Sequence, residues 1–103
     1  METDFKTEVM RDGIVEVINF YGTIDAKAEQ QMAALGGRVS GPDIRCDFSG
    51  TGRINSMGIA FLLRLFKALR DERNIRITIR GLSQMNAMLF KMTGIFLLAT
   101  PES

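Results

Sequence analysis

Two short segments alternate so strictly that they constrain the fold more than anything else in the chain. Ile44-Arg45-Cys46-Asp47-Phe48 places Ile44, Cys46 and Phe48 on one face and Arg45 and Asp47 on the other. Ile75-Arg76-Ile77-Thr78-Ile79-Arg80 repeats the pattern. A parallel strand covered on both faces would be apolar throughout. These two therefore predict a sheet with helices on one face and solvent, or a partner, on the other. Right-handed crossovers that keep moving in one direction stack their helices on one side in this way. The expected class is α/β, a mixed sheet of about four to five strands with helices packed on one face.

The helix between the two segments is expected from about Met57 to Arg73. At about 100° per residue, Ile59, Leu62, Leu63, Phe66 and Leu69 share one face, and Arg64, Lys67 and Asp71 lie opposite. Phe61 and Leu65 widen the apolar arc beyond what one sheet face needs. Either a neighbouring helix covers them, or they form an exposed patch for a partner or a homodimer. Ahead of this helix the strand is expected to end at Phe48, with a glycine-bearing loop and the polar pair Asn55-Ser56 following. Unpaired backbone N–H groups at a helix start attract anions and acidic groups, and strand–loop–helix junctions of α/β sheets commonly hold the site.

The rest of the chain reads around this unit. Phe5–Met10 and Ile14–Tyr21 are expected strands, with Asp12-Gly13 between them as a hairpin signal. Gly22-Thr23-Ile24-Asp25 breaks the second strand, and Asp25 is positioned to cap a short helix over Ala26–Leu35 that Gly36-Gly37 ends. A last helix runs from Ser83 as N-cap to Gly94 as stop. Its Met85, Met88, Leu89 and Met92 follow helical spacing, a stripe expected to fill the core. Ile95–Ala99 is expected as a final edge strand before the polar tail Thr100–Ser103. The 103 residues have the length of one domain, with no repeats and no linkers.

Composition removes several function classes. The chain has no His and one Cys, so a Ser/Cys–His triad or a thiolate zinc site cannot be built. No metal or other cofactor is expected, and a binding module is favoured over an enzyme. A net charge of +1 without a basic stripe argues against nucleic acid. The acidic start, the lack of a long apolar run and the single Cys46 point to the cytoplasm. Glycines at 50, 52 and 58 sit near a helix start, but no Walker-type Gly-Lys-Ser/Thr accompanies them, so a nucleotide site is disfavoured.

Four segments in order give the chain a family likeness: Gly22-Thr23-Ile24-Asp25, Asp47-Phe48-Ser49-Gly50, Asn55-Ser56-Met57-Gly58 and Met92-Thr93-Gly94-Ile95. They resemble the Gly-Glu-Leu-Asp, Asp-Leu-Ser-Gly, Asp-Ser-Ser/Thr-Gly and Leu-Thr-Gly-Leu segments of the STAS domain, the fold of bacterial anti-sigma factor antagonists. The resemblance spans nearly the whole chain. It implies a non-catalytic regulator of transcription or signalling whose partner is an anti-sigma factor that is also a serine kinase. In that family the partner phosphorylates the second hydroxyl residue of the Asp-Ser-Ser/Thr-Gly motif, and the phosphate breaks the complex. This chain holds Met57 at that position and Asn55 where the family has Asp. No phosphorylation is expected at Met57. Ser56 is expected to cap the helix, with phosphoacceptor as its alternative role. The implied partner surface comprises Gly22, Thr23, Asp25, Asn55, Ser56, Met57, Gly58 and Phe61. The alternative implied role is a STAS subunit of a larger assembly, such as a lipid/ABC transport complex or a stress-signalling particle.

Overall fold

A hairpin starts the sheet. β1 (Lys6–Asp12) pairs antiparallel with β2 (Val15–Ile24), and Asp12 faces Val15 across the two-residue loop Gly13-Ile14. The computed structural model describes residues 3–102; Met1, Glu2 and Ser103, the end of the expected tail, lie outside the described residues. β3 (Asp43–Ile54), β4 (Arg76–Arg80) and β5 (Thr100–Pro101) follow in parallel, giving a mixed sheet in the order β1-β2-β3-β4-β5. Because the parallel strands are laid down in sequence, their crossovers progress in one direction and the helices gather on one face. The chain adopts the expected one-sided α/β architecture, with five strands where about four to five were expected.

Alternation decides the two faces. Ile44, Cys46, Phe48, Ile77 and Ile79 are each at most 2% exposed, while Arg45, Asp47, Arg76 and Thr78 stand on the open face. That face is held by polar links: the Arg80 Nε–H donates to Asp47 Oδ2 at 2.8 Å and the Arg45 Nε–H to Glu102 at 2.9 Å. Cys46 is fully buried, and loss of solvation pushes its thiol well above the ordinary range, so it is an unreactive core group.

Three helices cover the other face: α1 (Glu29–Leu35), α2 (Ser56–Lys67) and α3 (Gln84–Thr93). α1 is preceded by a 3-10 turn, Ala26–Ala28, which Asp25 caps by accepting the Lys27 N–H at 3.0 Å. Gly36-Gly37 ends the α-helix as expected, although the chain continues as a 3-10 turn to Arg38. α2 passes into a π-helical turn over Ala68–Glu72, so the helical run has nearly its expected length. Arg73 then donates to the Gly36 and Val39 carbonyls, tying the end of that run to the end of α1.

Phe61 and Leu65 are buried at 3% and 7% exposure. Phe61 faces Met32 and Ala33 of α1, and Leu65 lies beside Gly36. Of the two readings open from sequence, the neighbouring helix holds and the exposed patch does not. The extra apolar arc of α2 is the part that meets α1.

Four expectations are corrected. β2 does not break at Gly22: it runs to Ile24 with irregular register, pairing Gly22 with Thr51 and Ile24 with Ile54. β3 does not end at Phe48 either, because that pairing carries it to Ile54, so the expected loop is strand. The final edge strand is not Ile95–Ala99, which forms a 3-10 turn and buries Ile95 and Ala99; the edge is the shorter Thr100–Pro101.

The fourth correction concerns α3. Ser83 caps it through the Asn86 N–H and Gly94 ends it in the left-handed conformation, both as expected. Its methionine stripe, however, faces solvent. Met85, Met88 and Met92 are 80%, 61% and 78% exposed, whereas Asn86 and Phe90 point inward at 6% and 0%. Phe90 meets Phe48 edge-on at 5.3 Å, and the Asn86 Nδ2–H donates to the Gly52 carbonyl at 3.0 Å. A rigid ring in the aromatic cluster and a satisfied buried amide together outweigh the burial of flexible thioethers. Dilute peroxide should therefore convert Met85, Met88 and Met92 to sulfoxides well before Met32, which is 2% exposed. Peptide mass spectrometry over time reads the order, and early oxidation of Met32 would contradict this packing.

Candidate functional site

The site assembles where the end of β2 meets the start of α2. Asn55 is the single residue between β3 and α2, and its backbone is extended. Its N–H donates to the Ile24 carbonyl at 3.1 Å, and its side-chain Oδ1 accepts the Gly58 N–H at 2.9 Å. Asn55, not Ser56, is thus the N-cap. A residue whose backbone is extended and whose side-chain oxygen reaches the third helical N–H fits the capping geometry, and Ser56 is already the first helical residue. Ser56 is exposed beside it.

Glycine is needed at two contacts here. A Cβ on Gly58 would lie 2.2 Å from the Ile24 carbonyl oxygen, so only glycine lets the first turn of α2 sit against the end of β2. Gly22 has φ +81°, and a Cβ there would lie 2.3 Å from the Asp4 carbonyl oxygen. The adjoining Thr23 N–H donates to the Thr3 carbonyl at 2.9 Å. The segment Thr3–Asp4 is therefore laid against the Gly22-Thr23 step, a neighbour that local sequence gave no signal for.

These contacts bring together Gly22, Thr23, Asp25, Asn55, Ser56, Met57 and Gly58. Gly22 and Gly58 are buried and act as spacers, Thr23 and Asp25 are half-buried, and Asn55, Ser56 and Met57 are exposed. Met57 is 46% exposed on the first turn of α2. Phe61 does not join them at the surface, since its ring is turned to α1. A hollow of about 430 Å³ beside the site is lined by Thr23, Asp25, Lys27 and the Thr3–Phe5 segment. A second, of about 350 Å³, runs from Gly22 and Thr23 to Thr51, Gly52 and Arg53.

The hydroxyls of Ser49 and Thr51 near the junction are engaged, that of Thr51 donating to the Phe20 carbonyl at 3.2 Å. The Ser49 hydroxyl donates to Asp47 Oδ1 at 2.6 Å, and the Ser49 N–H reaches the same atom at 2.8 Å. Burial pushes the Asp47 carboxyl up, but these two donors and the Arg80 guanidinium outweigh it and hold the group below the usual carboxylate range. Among the described residues no group of three or more His, Cys, Asp and Glu side chains could hold a metal ion, and no helix is long and apolar enough to cross a membrane. What the junction offers is a surface of polar and thioether groups on a rigid base.

No family model matches the chain, and no curated protein matches it. Solved structures do. An anti-sigma factor antagonist from Mycobacterium paratuberculosis is 22% identical with a TM-score of 0.69, over 95% of this chain and 85% of that one. The anti-sigma factor antagonist SpoIIAA in its unphosphorylated form is 19% identical with a TM-score of 0.71, over 97% of this chain and 89% of that one. The Bacillus cell fate determinant SpoIIAA in its phosphorylated form is 16% identical with a TM-score of 0.63, over 97% and 92%. Identities this low speak to architecture, and on that point sequence motifs, sheet order and superposition agree: the chain has the STAS fold seen in anti-sigma factor antagonists.

Proposed function

We propose that the chain is a non-catalytic STAS module of the anti-sigma factor antagonist kind, and that it docks a partner protein through Gly22, Thr23, Asp25 and the Asn55–Gly58 start of α2. The observation that carries this reading is Met57, an apolar side chain 46% exposed on the first helical turn. The likeness to antagonist structures supports the partner class, an anti-sigma factor with serine-kinase character acting in the cytoplasm. A thioether at position 57 takes no phosphate, so the surface stays in the form that an unphosphorylated antagonist presents. Asn55 in place of Asp removes a further negative charge while retaining the cap.

The test pairs the chain with an anti-sigma factor kinase encoded in the same genome and measures Kd by calorimetry. Met57→Glu is expected to raise Kd at least about tenfold, roughly 1.4 kcal/mol, because a carboxylate would be desolvated against the partner without a counter-charge. Met57→Leu should bind nearly as the parent does. With ATP present, mass spectrometry should find no phosphate at position 57 and the complex intact. A Kd unmoved by Met57→Glu would place the interface elsewhere.

A further inference from the structure

We propose that the outer edge of β1 pairs with the same edge of a second copy of this chain, antiparallel about a two-fold axis at Val9, so that two sheets join into one. This surface lies beyond the partner site proposed above and does not rest on it. β1 ends the sheet, and its seven residues pair with β2 in continuous register, without a bulge or a proline. Alternate residues of an edge strand turn their backbone N–H and C=O groups outward. Among the described residues no strand or side chain bonds those outward groups of Lys6–Asp12. The Gln31 amide comes nearest, donating to the Phe5 carbonyl one residue before the strand.

The two edges of the sheet are built differently. The far edge, β5, is Thr100–Pro101, two residues with a proline, and both features close an edge to further pairing. β1 has neither. It is long and regular, and it carries Met10 at 49% exposure on the open face of the sheet. Charged side chains can also guard an edge against its own copies. In β1 they are arranged to match themselves instead.

Charge selects both the occupant and the register. Opposed residues of an antiparallel pair share a sheet face, so a two-fold axis between identical strands must centre on a residue. An axis at Glu8 would set that carboxylate against its own copy, and one at Met10 would set Glu8 against Asp12. Axes nearer the strand ends oppose less than half of it. An axis at Val9 opposes all seven residues, and no like charges face each other. Lys6 then stands across from Asp12 of the second copy, Thr7 from Arg11, Glu8 from Met10, and Val9 from Val9. Symmetry makes the exposed Lys6–Asp12 pair twice. Arg11 keeps its own chain's Glu16, 3.9 Å away, and the half-buried Val9 gains cover on the axis.

Sedimentation equilibrium at low salt should show a monomer–dimer equilibrium that weakens as salt rises. Lys6→Asp or Asp12→Lys alone should raise the dimer dissociation constant at least about tenfold, because like charges then face each other twice. The double variant Lys6→Asp/Asp12→Lys should return to within about threefold of the parent. Circular dichroism and the unfolding midpoint of dilute protein check that each variant folds. Cross-linking reads the register. Cys46 is buried, so a single introduced thiol is the reactive one. Under mild oxidation Val9→Cys should form a covalent dimer readily, and Glu8→Cys and Met10→Cys far more slowly. Met57→Glu should leave the equilibrium unchanged. A chain that stays monomeric at millimolar concentration would overturn the proposal and leave the edge to a different strand or to water. Faster cross-linking at position 8 or 10, a double variant as weak as the singles, or a dimer lost in Met57→Glu would overturn it equally.

Discussion

Phe48→Ala is expected to cost the protein about 3–5 kcal/mol of stability, a large part of the roughly 5–15 kcal/mol that holds a typical native domain. The ring is 2% exposed and sits at the centre of a row of aromatics. It stacks on Phe20 at 4.5 Å with the planes 5° apart, and it meets Phe90 at 5.3 Å edge-on. Phe90 in turn lies 6.1 Å from Phe96. Removing Phe48 leaves a cavity between two β-strands and α3. The strands cannot close it, because their backbones are committed to the ladders with β2 and β4. Only α3 can move, and moving it strains the Asn86–Gly52 bond. Phe48→Leu keeps part of the volume and should lose less. Urea unfolding reads the result as a lower midpoint at unchanged slope. A loss below about 1 kcal/mol would mean that the row of rings is not the keystone described here.

The second large effect is expected at Glu16. This carboxylate is 5% exposed, and its Oε1 accepts the N–H groups of Ser40 and Gly41, each at 2.7 Å, and the Ser40 hydroxyl at 3.3 Å. It pins the connection between α1 and β3 to the second residue of β2. Burial pushes the carboxyl up, but the two backbone donors, the hydroxyl and the Arg11 guanidinium outweigh it and hold the group below the ordinary carboxylate range. Glu16→Ala leaves two inward N–H groups without their acceptor and should cost about 2–4 kcal/mol near neutral pH. The sign of the pH dependence follows from the lowered folded-state value. The contribution is fully present above the ordinary carboxylate range and is lost as pH falls through the native value. The stability gap between the parent chain and Glu16→Ala should therefore narrow in acid. Asp47, held low in the same direction, remains in both proteins and cancels in the comparison. Urea midpoints at neutral and acid pH check this, and a gap of constant size would assign the effect to shape rather than charge.

How far the chain could be read in advance divides along the range of the interactions. Alternation at Ile44–Phe48 and Ile75–Arg80 determined the two sheet faces, because successive side chains of any strand point to opposite sides. The Asp12-Gly13 hairpin, the Ser83 cap and the Gly94 stop were equally legible, since each acts within a few residues. Residues 49–54 were not, because glycine and hydroxyl residues carry weak strand signals and become strand only against the β2 edge. Ser56 was the expected cap, but Asn55 takes that place; the carbonyl of Ile24, far away in sequence, fixed which of them stands outside the helix. For α3 the tertiary structure reversed the reading. Two inward stripes were open to it, methionines at one and Asn86 with Phe90 at the other. The choice lay with the Gly52 carbonyl and the Phe48 ring, partners that no local window of sequence contains. Local periodicity determines that a helix has an apolar face, whereas which face is buried depends on the shape and hydrogen-bonding needs of the surface it meets.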